Sequence, residues 1–370
     1  MNRPKLSICM ATRNRAAYIG ATLESIVSQA TDEVEVVVLD GASTDDTGKV
    51  IRLCQNRFLR LRYFRQETNM GIDRDFAKAV ELAHGEYCWL FCDDDLLRPG
   101  AIRAALEAIK KDYAVIIANS EVLNADLSIL LEPKRLPLDA DKIYRSSEND
   151  LLLGDTGDYL SFIGSVIIKR KVWETRQKEK YFGSYFIHVG MIFQEPLPGD
   201  ALVIAEPLVS IRYANASWLG KYFEIWMFKW PSIIWSFAQF PDSVKNRVCL
   251  REPWRSPGKL LHFRAKGVYS KQEYEQWLKP RSGSFWTRML EQAIAYFPGQ
   301  AANLLAYVYY STFRRPSARL LLLLDLANSP FCFWKLRKRR HGFSTGSRDV
   351  GGNSPLLPNT VTKNTECAKP

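Results

Sequence analysis

Three consecutive aspartates, Asp93, Asp94 and Asp95, end an uncharged apolar run, Tyr87-Cys88-Trp89-Leu90-Phe91-Cys92, and Pro99 follows four residues later. Three adjacent carboxylates repel one another unless a cation or hydrogen-bond donors compensate them. Hard oxygen ligands of this kind suit Mg²⁺ or Mn²⁺, which take one or two carboxylates and fill their remaining positions with water and phosphate oxygens. The alternative is a solvated acidic loop capping a helix that starts near Pro99. Two further polar clusters lie upstream. Thr12-Arg13-Asn14-Arg15 offers hydroxyl and amide groups and a guanidinium able to donate to phosphate; Arg15 reads as ordinary surface charge. Asp40-Gly41-Ala42-Ser43-Thr44-Asp45 begins with a carboxylate that could accept N–H groups from a pyrimidine edge or from its own turn. Asp45 reads as a helix N-cap.

The elements that must position these clusters can be read from hydrophobic periodicity. Leu6–Met10, Val34–Leu39, Leu61–Phe64, Tyr87–Phe91 and Ala114–Ala118 are short apolar runs of strand type. Between them, Ile19/Leu23/Ile26/Val27, Val50/Ile51/Cys54, Phe76/Val80/Ala83 and Ile102/Ala105/Leu106/Ile109 repeat at helical spacing. This alternation predicts an α/β fold with a doubly wound, mostly parallel sheet. Ligands of such sheets bind at the carboxyl ends of the strands, and all three polar clusters fall there. Neither G-x-G-x-x-G nor G-x-x-x-x-G-K-[ST] occurs at these turns, so dinucleotide and P-loop readings have no support.

The rest of the 370-residue chain differs in character. Net charge is +11 overall, but residues 211–340 contain 22 Lys and Arg against 7 Asp and Glu. A basic, aromatic, helical carboxyl-terminal region needs an anionic partner. Trp218–Phe240 and Leu320–Trp334 are each interrupted by charge, so they read as interfacial rather than membrane-spanning; the alternative is that both are core helices of a second domain. Trp218, Tyr222, Trp226, Trp230 and Trp235 crowd the first stretch, and Lys335, Arg337, Lys338, Arg339 and Arg340 follow the apolar Leu320–Leu324. Seven scattered cysteines give no metal spacing and no disulfide framework, and the first ten residues form no signal peptide. The expected division is 1–215 for the sheet domain, 216–340 for the helical region and 341–370 for a disordered, Ser/Asn/Thr/Gly/Pro-rich tail.

The motifs resemble those of the family 2 glycosyltransferases of the GT-A fold. Ser7-Ile8-Cys9-Met10-Ala11-Thr12-Arg13-Asn14-Arg15 is similar to the family's opening strand and Pro-Thr-x-Asn-Arg, with Ala11 for proline. Val36-Val37-Val38-Leu39-Asp40-Gly41-Ala42-Ser43-Thr44-Asp45 resembles a valine strand followed by Asp-Asp-Gly-Ser-x-Asp, with Gly41 for the second aspartate. Ala83-His84-Gly85-Glu86-Tyr87 through Asp95 resembles the third signature. Asn69-Met70-Gly71-Ile72-Asp73-Arg74-Asp75 is most similar to a subgroup of bacterial surface-polysaccharide enzymes, the abequosyltransferase type active in O-antigen assembly.

The resemblance implies a metal-dependent transfer from a UDP-, CDP- or dTDP-linked sugar to a polyprenyl-diphosphate-linked oligosaccharide. It implies Asp94 as principal Mg²⁺ or Mn²⁺ ligand, with Asp93 and Asp95 beside it. Nucleotide-sugar contacts would come from Thr12, Arg13, Asn14, Asp40, Asp73, Arg74 and Asp93. Candidates for a base are His188, Asp158 and Glu195, with Asp155 also in the segment; His188 could equally bind an acceptor hydroxyl or pack. The expected location is peripheral, on an anionic membrane surface at the cytoplasmic face of the inner membrane, without nucleic acid. The rival readings are a sugar-1-phosphate nucleotidyltransferase, which would want a glycine-rich loop after the first strand, and a non-catalytic membrane-binding module, which has no use for three aspartates.

Overall fold

The computed structural model describes residues 3–213, 219–313 and 316–332. The leading strands are β1 (Leu6–Thr12), β2 (Val34–Asp40), β3 (Leu61–Arg65) and β4 (Tyr87–Phe91). β1, β2 and β4 are buried along their whole length, so their near-continuous apolar sequences reflect helices on both faces. β5 (Leu96–Leu97), β6 (Val115–Leu123), β7 (Leu130–Glu132), β8 (Lys142–Tyr144), β9 (Val166–Lys169) and β10 (Ala201–Arg212) complete one sheet. Its order is β3-β2-β1-β4-β9-β6-β10-β5, with β7 on β6 and β8 on β10. The pairs among β3, β2, β1 and β4 are parallel, as is β6 with β10; β9 runs antiparallel to both its neighbours.

One face of the sheet, with Ile8, Met10, Val36, Val38, Trp89 and Phe91, packs on α1 (Ile19–Val27), whose partner α2 (Thr47–Gln55) contributes Ile51, and on α4 (Ala101–Ile109). The other face, with Cys9, Ala11, Val37, Leu39, Cys88 and Leu90, packs on Phe76 and Val80 of α3 (Ile72–Leu82). The same cluster takes in α5 (Asn149–Thr156), α6 (Arg170–Glu174) and α7 (Ile187–Phe193).

Register sets the working edge. Thr12 lies opposite Asp40, and Met10 opposite Phe91, so the residues two beyond Met10 and Phe91, Thr12 and Asp93, emerge side by side. The reversal of β9 brings the segment before it to this same edge. Trp89 Nε1 donates to the Gly164 carbonyl (2.9 Å) and the Tyr159 hydroxyl to the Ala118 carbonyl (2.6 Å).

The carboxyl-terminal region is helical, as expected, but one side of its aromatic stretch is core: Trp230 is buried, while Tyr222, Trp226 and Trp235 are half-buried. α8 (Tyr222–Glu224) continues through a π-helical turn, Ile225–Lys229, into α9 (Trp230–Trp235). Phe223, Met227, Trp230 and Phe237 are 2–3% exposed, and Ile225, Trp230, Ile233 and Ile234 belong to the core cluster under the sheet. Trp230 meets Phe186 edge-on at 4.6 Å. The interfacial expectation for this stretch is therefore corrected; Trp218 lies outside the described residues. Its lysines misled because a long stem reaches the rim while the chain beside it is buried; Lys229, for instance, ends at Glu224 (3.8 Å). The described residues up to Cys332 form one compact unit.

Beyond α10 (Asp242–Val248), α11 (Pro257–Lys266) and α12 (Lys271–Glu273) come α13 (Phe285–Tyr296), α14 (Gly299–Phe313) and α15 (Pro316–Asn328). Leu320 of α15 is exposed, Leu321–Leu324 are half-buried and Leu326 is buried. Exposed apolar stripes occur instead on α13 (Phe285, Trp286, Met289, Leu290) and α14 (Leu304, Leu305, Val308, Tyr309, Phe313). The basic cluster Lys335, Arg337, Lys338, Arg339 and Arg340 and the tail 341–370 lie outside the described residues. Among the described residues no helix is long and apolar enough to cross a membrane. Six cysteines, Cys9, Cys54, Cys88, Cys92, Cys249 and Cys332, are free thiols.

Truncating a buried Trp removes its packing and leaves a cavity. Trp230→Ala should therefore cost about 3–5 kcal/mol of unfolding free energy in a urea titration. Trp286→Ala, at an exposed site, should change it by no more than about 0.5 kcal/mol. Equal, small effects would contradict the core assignment of α9.

Candidate active site

The carboxylates at the end of β4 are compensated by an arginine that composition alone gave no reason to single out. Arg15 places Nε 3.3 Å from Asp93 Oδ1 and Nη2 3.1 Å from Asp94 Oδ2, with only 12% of its side chain exposed. Its route there is built from local chemistry. Asn14 adopts a left-handed backbone, φ 55°, which Asn tolerates through short-range hydrogen bonds. Its N–H donates to Ser43 Oγ (2.9 Å) and its Oδ1 accepts from Thr44 N–H (2.8 Å). The Arg15 N–H donates to Thr47 Oγ1 (2.7 Å). The loops after β1 and β2 are thereby latched together, and Asn14, expected at the nucleotide, is the latch. Asp45 Oδ1 accepts from the Thr47 N–H (3.0 Å), its Oδ2 from the Ala16 N–H (3.2 Å).

Arg212, at the end of β10, closes the other side. Its N–H donates to Asp95 Oδ1 (2.8 Å), its Nε to the Asp94 carbonyl (3.0 Å) and its Nη1 to the Ala125 carbonyl (2.7 Å). The Tyr18 ring carries both guanidinium groups, Arg15 at 5.5 Å and Arg212 at 5.3 Å. Neither Tyr18 nor Arg212 stood out in the sequence; only a strand 110 residues downstream, seen in its register, could have revealed the second.

Burial and the neighbouring Asp94 push Asp93 up to about 7, against the pull of Arg15. Burial, then Asp94, also raises Asp95 well above the usual carboxylate range. The Cys92 thiol is driven up by burial and by all three aspartates, so it stays protonated. Ligand atoms of Cys92, Asp94 and Asp95 lie within 4.8 Å of one another. A neutral, soft thiol is a poor partner for Mg²⁺ or Mn²⁺, whereas two crowded carboxylates are a good one. The residues present therefore fit a hard divalent ion held by Asp94 and Asp95, with Arg15 beside Asp93 and Asp94.

Asp40, expected to meet a pyrimidine edge, is bonded to its own turn and to β3. Asp40 is fully buried, its Oδ1 accepting from Ser43 N–H (2.8 Å) and its Oδ2 from the Tyr63 hydroxyl (2.7 Å). Burial and that carboxylate raise the phenol to about 12, keeping it a donor. Both oxygens are committed to the protein. A different carboxylate occupies the neighbouring space: a Cβ at Gly41 would meet Asp75 Oδ2 at 2.7 Å. Asp75 Oδ1 accepts from Gln66 Nε2 (2.7 Å), while Oδ2 receives no hydrogen bond among the described residues. Burial and then Asp40 raise its pKa, and Arg13 opposes this. Arg13 is exposed and forms no ion pair among the described residues; Thr12 is buried at the end of β1.

Asp73, also expected among the nucleotide contacts, bonds to backbone at the start of α7. It is buried and accepts from the N–H groups of Tyr185 (2.9 Å) and Ile187 (3.1 Å), anchoring the start of α7. Arg74 is exposed, its guanidinium over the Phe182 ring at 4.4 Å.

The base candidates separate. His188 is 1% exposed; its Nε2 donates to the Leu160 carbonyl (2.7 Å) and burial pushes it down to about 4. It is a neutral core histidine that no acceptor hydroxyl can reach. Glu195 pairs with Arg176 (2.7 Å) beyond α6. Because β9 pairs Lys169 with Tyr87, α6 follows at the amino-terminal end of β4, the edge opposite the aspartates. Asp155 is held by Lys142, the Tyr144 hydroxyl and Arg247 at 2.7–2.8 Å. Asp158 remains: it is exposed, precedes Tyr159 at the carboxyl edge of β6, and faces Arg135 and Lys259. Protein crowding on its closed sides raises its carboxyl, with the two cations pulling the other way.

The family model for glycosyl transferase family 2 matches residues 7–168. Abequosyltransferase RfbV of Salmonella typhimurium is 29% identical over 229 residues, covering 58% of this chain and 69% of that protein. The GalNAc(5)-diNAcBac-PP-undecaprenol beta-1,3-glucosyltransferase of Campylobacter jejuni is 27% identical over 200 residues, 50% of this chain and 62% of that one. The crystal structure of S. aureus TarS 1-349 superposes with a TM-score of 0.53 at 14% identity, over 92% of this chain and 93% of that chain; the same protein in complex with UDP-GlcNAc gives 0.52 at 15%, over 91% and 92%. The matched span holds all three polar strand ends and Asp158: residues 7–168 form a glycosyl transferase family 2 domain, and the chain has the GT-A fold.

Proposed function

We propose that the chain transfers a sugar from a UDP-, CDP- or dTDP-linked donor to a hydroxyl of a polyprenyl-diphosphate-linked oligosaccharide in surface-polysaccharide (O-antigen) synthesis. The observation that carries this is the crowded carboxylate group at the end of β4, beside the ends of β1 and β2. The similarity to RfbV and to the Campylobacter enzyme, whose name specifies a PP-undecaprenol-linked substrate, supports the acceptor class. A divalent ion at Asp94 and Asp95 would supply charge neutralisation for the departing nucleoside diphosphate. Arg13 donates to phosphate oxygens from the loop after β1. Asp75 Oδ2, packed beside Gly41, accepts from the pyrimidine edge in place of Asp40. Asp158 takes the proton of the acceptor hydroxyl, since it alone of the candidates is both open to solvent and on the working edge. The protein sits peripherally on the anionic cytoplasmic face of the inner membrane, through the apolar stripes of α13 and α14 with the surrounding basic charge.

Asp94→Ala should abolish transfer and remove Mn²⁺-dependent thermal stabilisation by nucleoside diphosphate, with a native circular-dichroism spectrum. Full turnover of this variant in EDTA would refute the metal assignment. Asp75→Asn should weaken UDP, CDP or dTDP binding about tenfold in calorimetry, the loss of one charge-assisted hydrogen bond. Stabilisation by GDP alone would contradict a pyrimidine donor.

Removing a general base costs about 10²–10⁴ in turnover. Asp158→Asn should show this loss in kcat. Because the carboxyl is raised and must be ionised to act, wild-type activity should fall with decreasing pH at a point above the ordinary carboxylate range. That acidic limb should be missing from the residual activity of the variant. Co-sedimentation with phosphatidylglycerol-containing vesicles at low salt should be reduced by Trp286→Glu with Leu305→Glu. A protein that stays in the supernatant before any substitution would end the membrane assignment and leave the transferase reading intact.

A further inference from the structure

A cavity of about 510 Å³ lies between the π-helical turn and α9 on one side and the segment 251–255 and Arg281 on the other. Three arginines line it, and each is stacked on an aromatic ring. Arg251 lies over Trp235 at 5.5 Å, Arg255 over Trp254 at 4.6 Å, and Arg281 over Phe228 at 4.9 Å and Trp277 at 5.6 Å. The one acidic residue in the lining, Glu252, is held by Arg255 Nε at 2.7 Å. Arg281 Nη1 donates to the Trp277 carbonyl, and Arg251 forms neither ion pair nor hydrogen bond among the described residues. The cavity thus carries an excess of two positive charges. Met227, Phe228 and Pro231 supply an apolar wall beside them.

A ring holds a guanidinium by its face; Arg251 keeps its N–H groups available, Arg255 those other than Nε, and Arg281 those other than the one its Nη1 gives to the Trp277 carbonyl. Guanidinium edges match phosphate oxygens two at a time, more strongly than neutral donors do. One arginine on a surface is ordinary; three ring-mounted ones around a single concavity, against one carboxylate, form a preorganised anion receptor. The volume falls within the range of small-ligand sites, enough for a diphosphate with the first part of an attached chain. None of these residues is among the strand-end aspartates, Asp75 or Asp158.

We propose that this cavity binds a diphosphate group next to an apolar chain: the diphosphate on the guanidinium edges of Arg251, Arg255 and Arg281, the chain along Met227, Phe228 and Pro231. The assignment rests on the proposed function only in naming the source, the isoprenoid diphosphate of the acceptor. The charge geometry holds without it.

The test is calorimetric titration of the full-length protein with farnesyl diphosphate, inorganic pyrophosphate and farnesol, and flotation with phosphatidylglycerol/phosphatidylcholine vesicles. Farnesyl diphosphate should bind at least about tenfold tighter than either pyrophosphate or farnesol, since it alone uses both walls. Arg251→Gln with Arg281→Gln should weaken it by about tenfold or more, while Mn²⁺–UDP thermal stabilisation and the melting temperature of the free protein stay unchanged. Arg→Lys replacements should restore only part of the affinity, because an ammonium presents no fork. Equal affinity for pyrophosphate and farnesyl diphosphate, binding by the vesicles but not by farnesyl diphosphate, or unaltered binding in the double variant would each overturn the proposal. Loss of transfer together with normal farnesyl diphosphate binding would count against the functional reading and leave this cavity's assignment standing.

Discussion

Repulsion among three adjacent carboxylates governs the architecture of the working edge. Two unit charges about 4 Å apart in a partly buried setting interact by roughly 4 kcal/mol, so the strand end of β4 cannot be left as it stands. Arg15 answers that charge from the loop after β1, and Arg212 ties the triplet's backbone and Asp95 from the end of β10. Each needs its own scaffold. Arg15 depends on the left-handed turn at Asn14 and the cross-loop hydrogen bonds to Ser43, Thr44 and Thr47. Arg212 depends on a long strand that pairs with β6 along most of its length. Burial, and then the neighbouring Asp94, keep Asp93 and Asp95 raised in spite of these partners.

The reversed strand β9 does a second job. Inserted between two strands of opposite direction to it, it delivers the segment 158–165 to the carboxyl edge and sends α6 and the chain that follows to the other end of β4. Residues only a few dozen positions apart are thereby sorted onto opposite sides of the sheet. Asp158 is kept at the edge with the aspartates; Glu195 is removed from it; His188 is absorbed into the hydrophobic layer between. A buried imidazole pays for its desolvation by remaining neutral, and its hydrogen bond to the Leu160 carbonyl then belongs to packing.

The carboxyl-terminal helices have two kinds of aromatic residue that composition cannot tell apart. Trp230 packs beneath the sheet, edge-on against Phe186 and Trp226. Those at the rim carry arginines on their outer faces, as Trp235, Trp254 and Trp277 do. The same residue types thus close a core on one side of the segment and build a cationic surface on the other.

Periodicity alone was enough to assign the α/β class, the first four strands, their helices and the three polar strand ends, because a buried strand and a one-sided helix leave different hydrophobic spacings. The triplet Asp93, Asp94 and Asp95 stood out as a polar strand end because three carboxylates after an apolar run have no inexpensive packing. What the sequence could not determine was which polar side chains spend their hydrogen bonds on the protein itself. Asp40, Asp73 and Asn14 look like ligand contacts until their partners, Tyr63, Tyr185 and Thr44, are brought to them from other elements. Arg15 looks like solvent-facing charge until β4 lies beside β1. Asp75 becomes visible only because Gly41, two elements away in the chain, leaves it room. Local spacing is encoded residue by residue, whereas the pairing of donors and acceptors across a sheet depends on strand order and register, and these the tertiary structure decided.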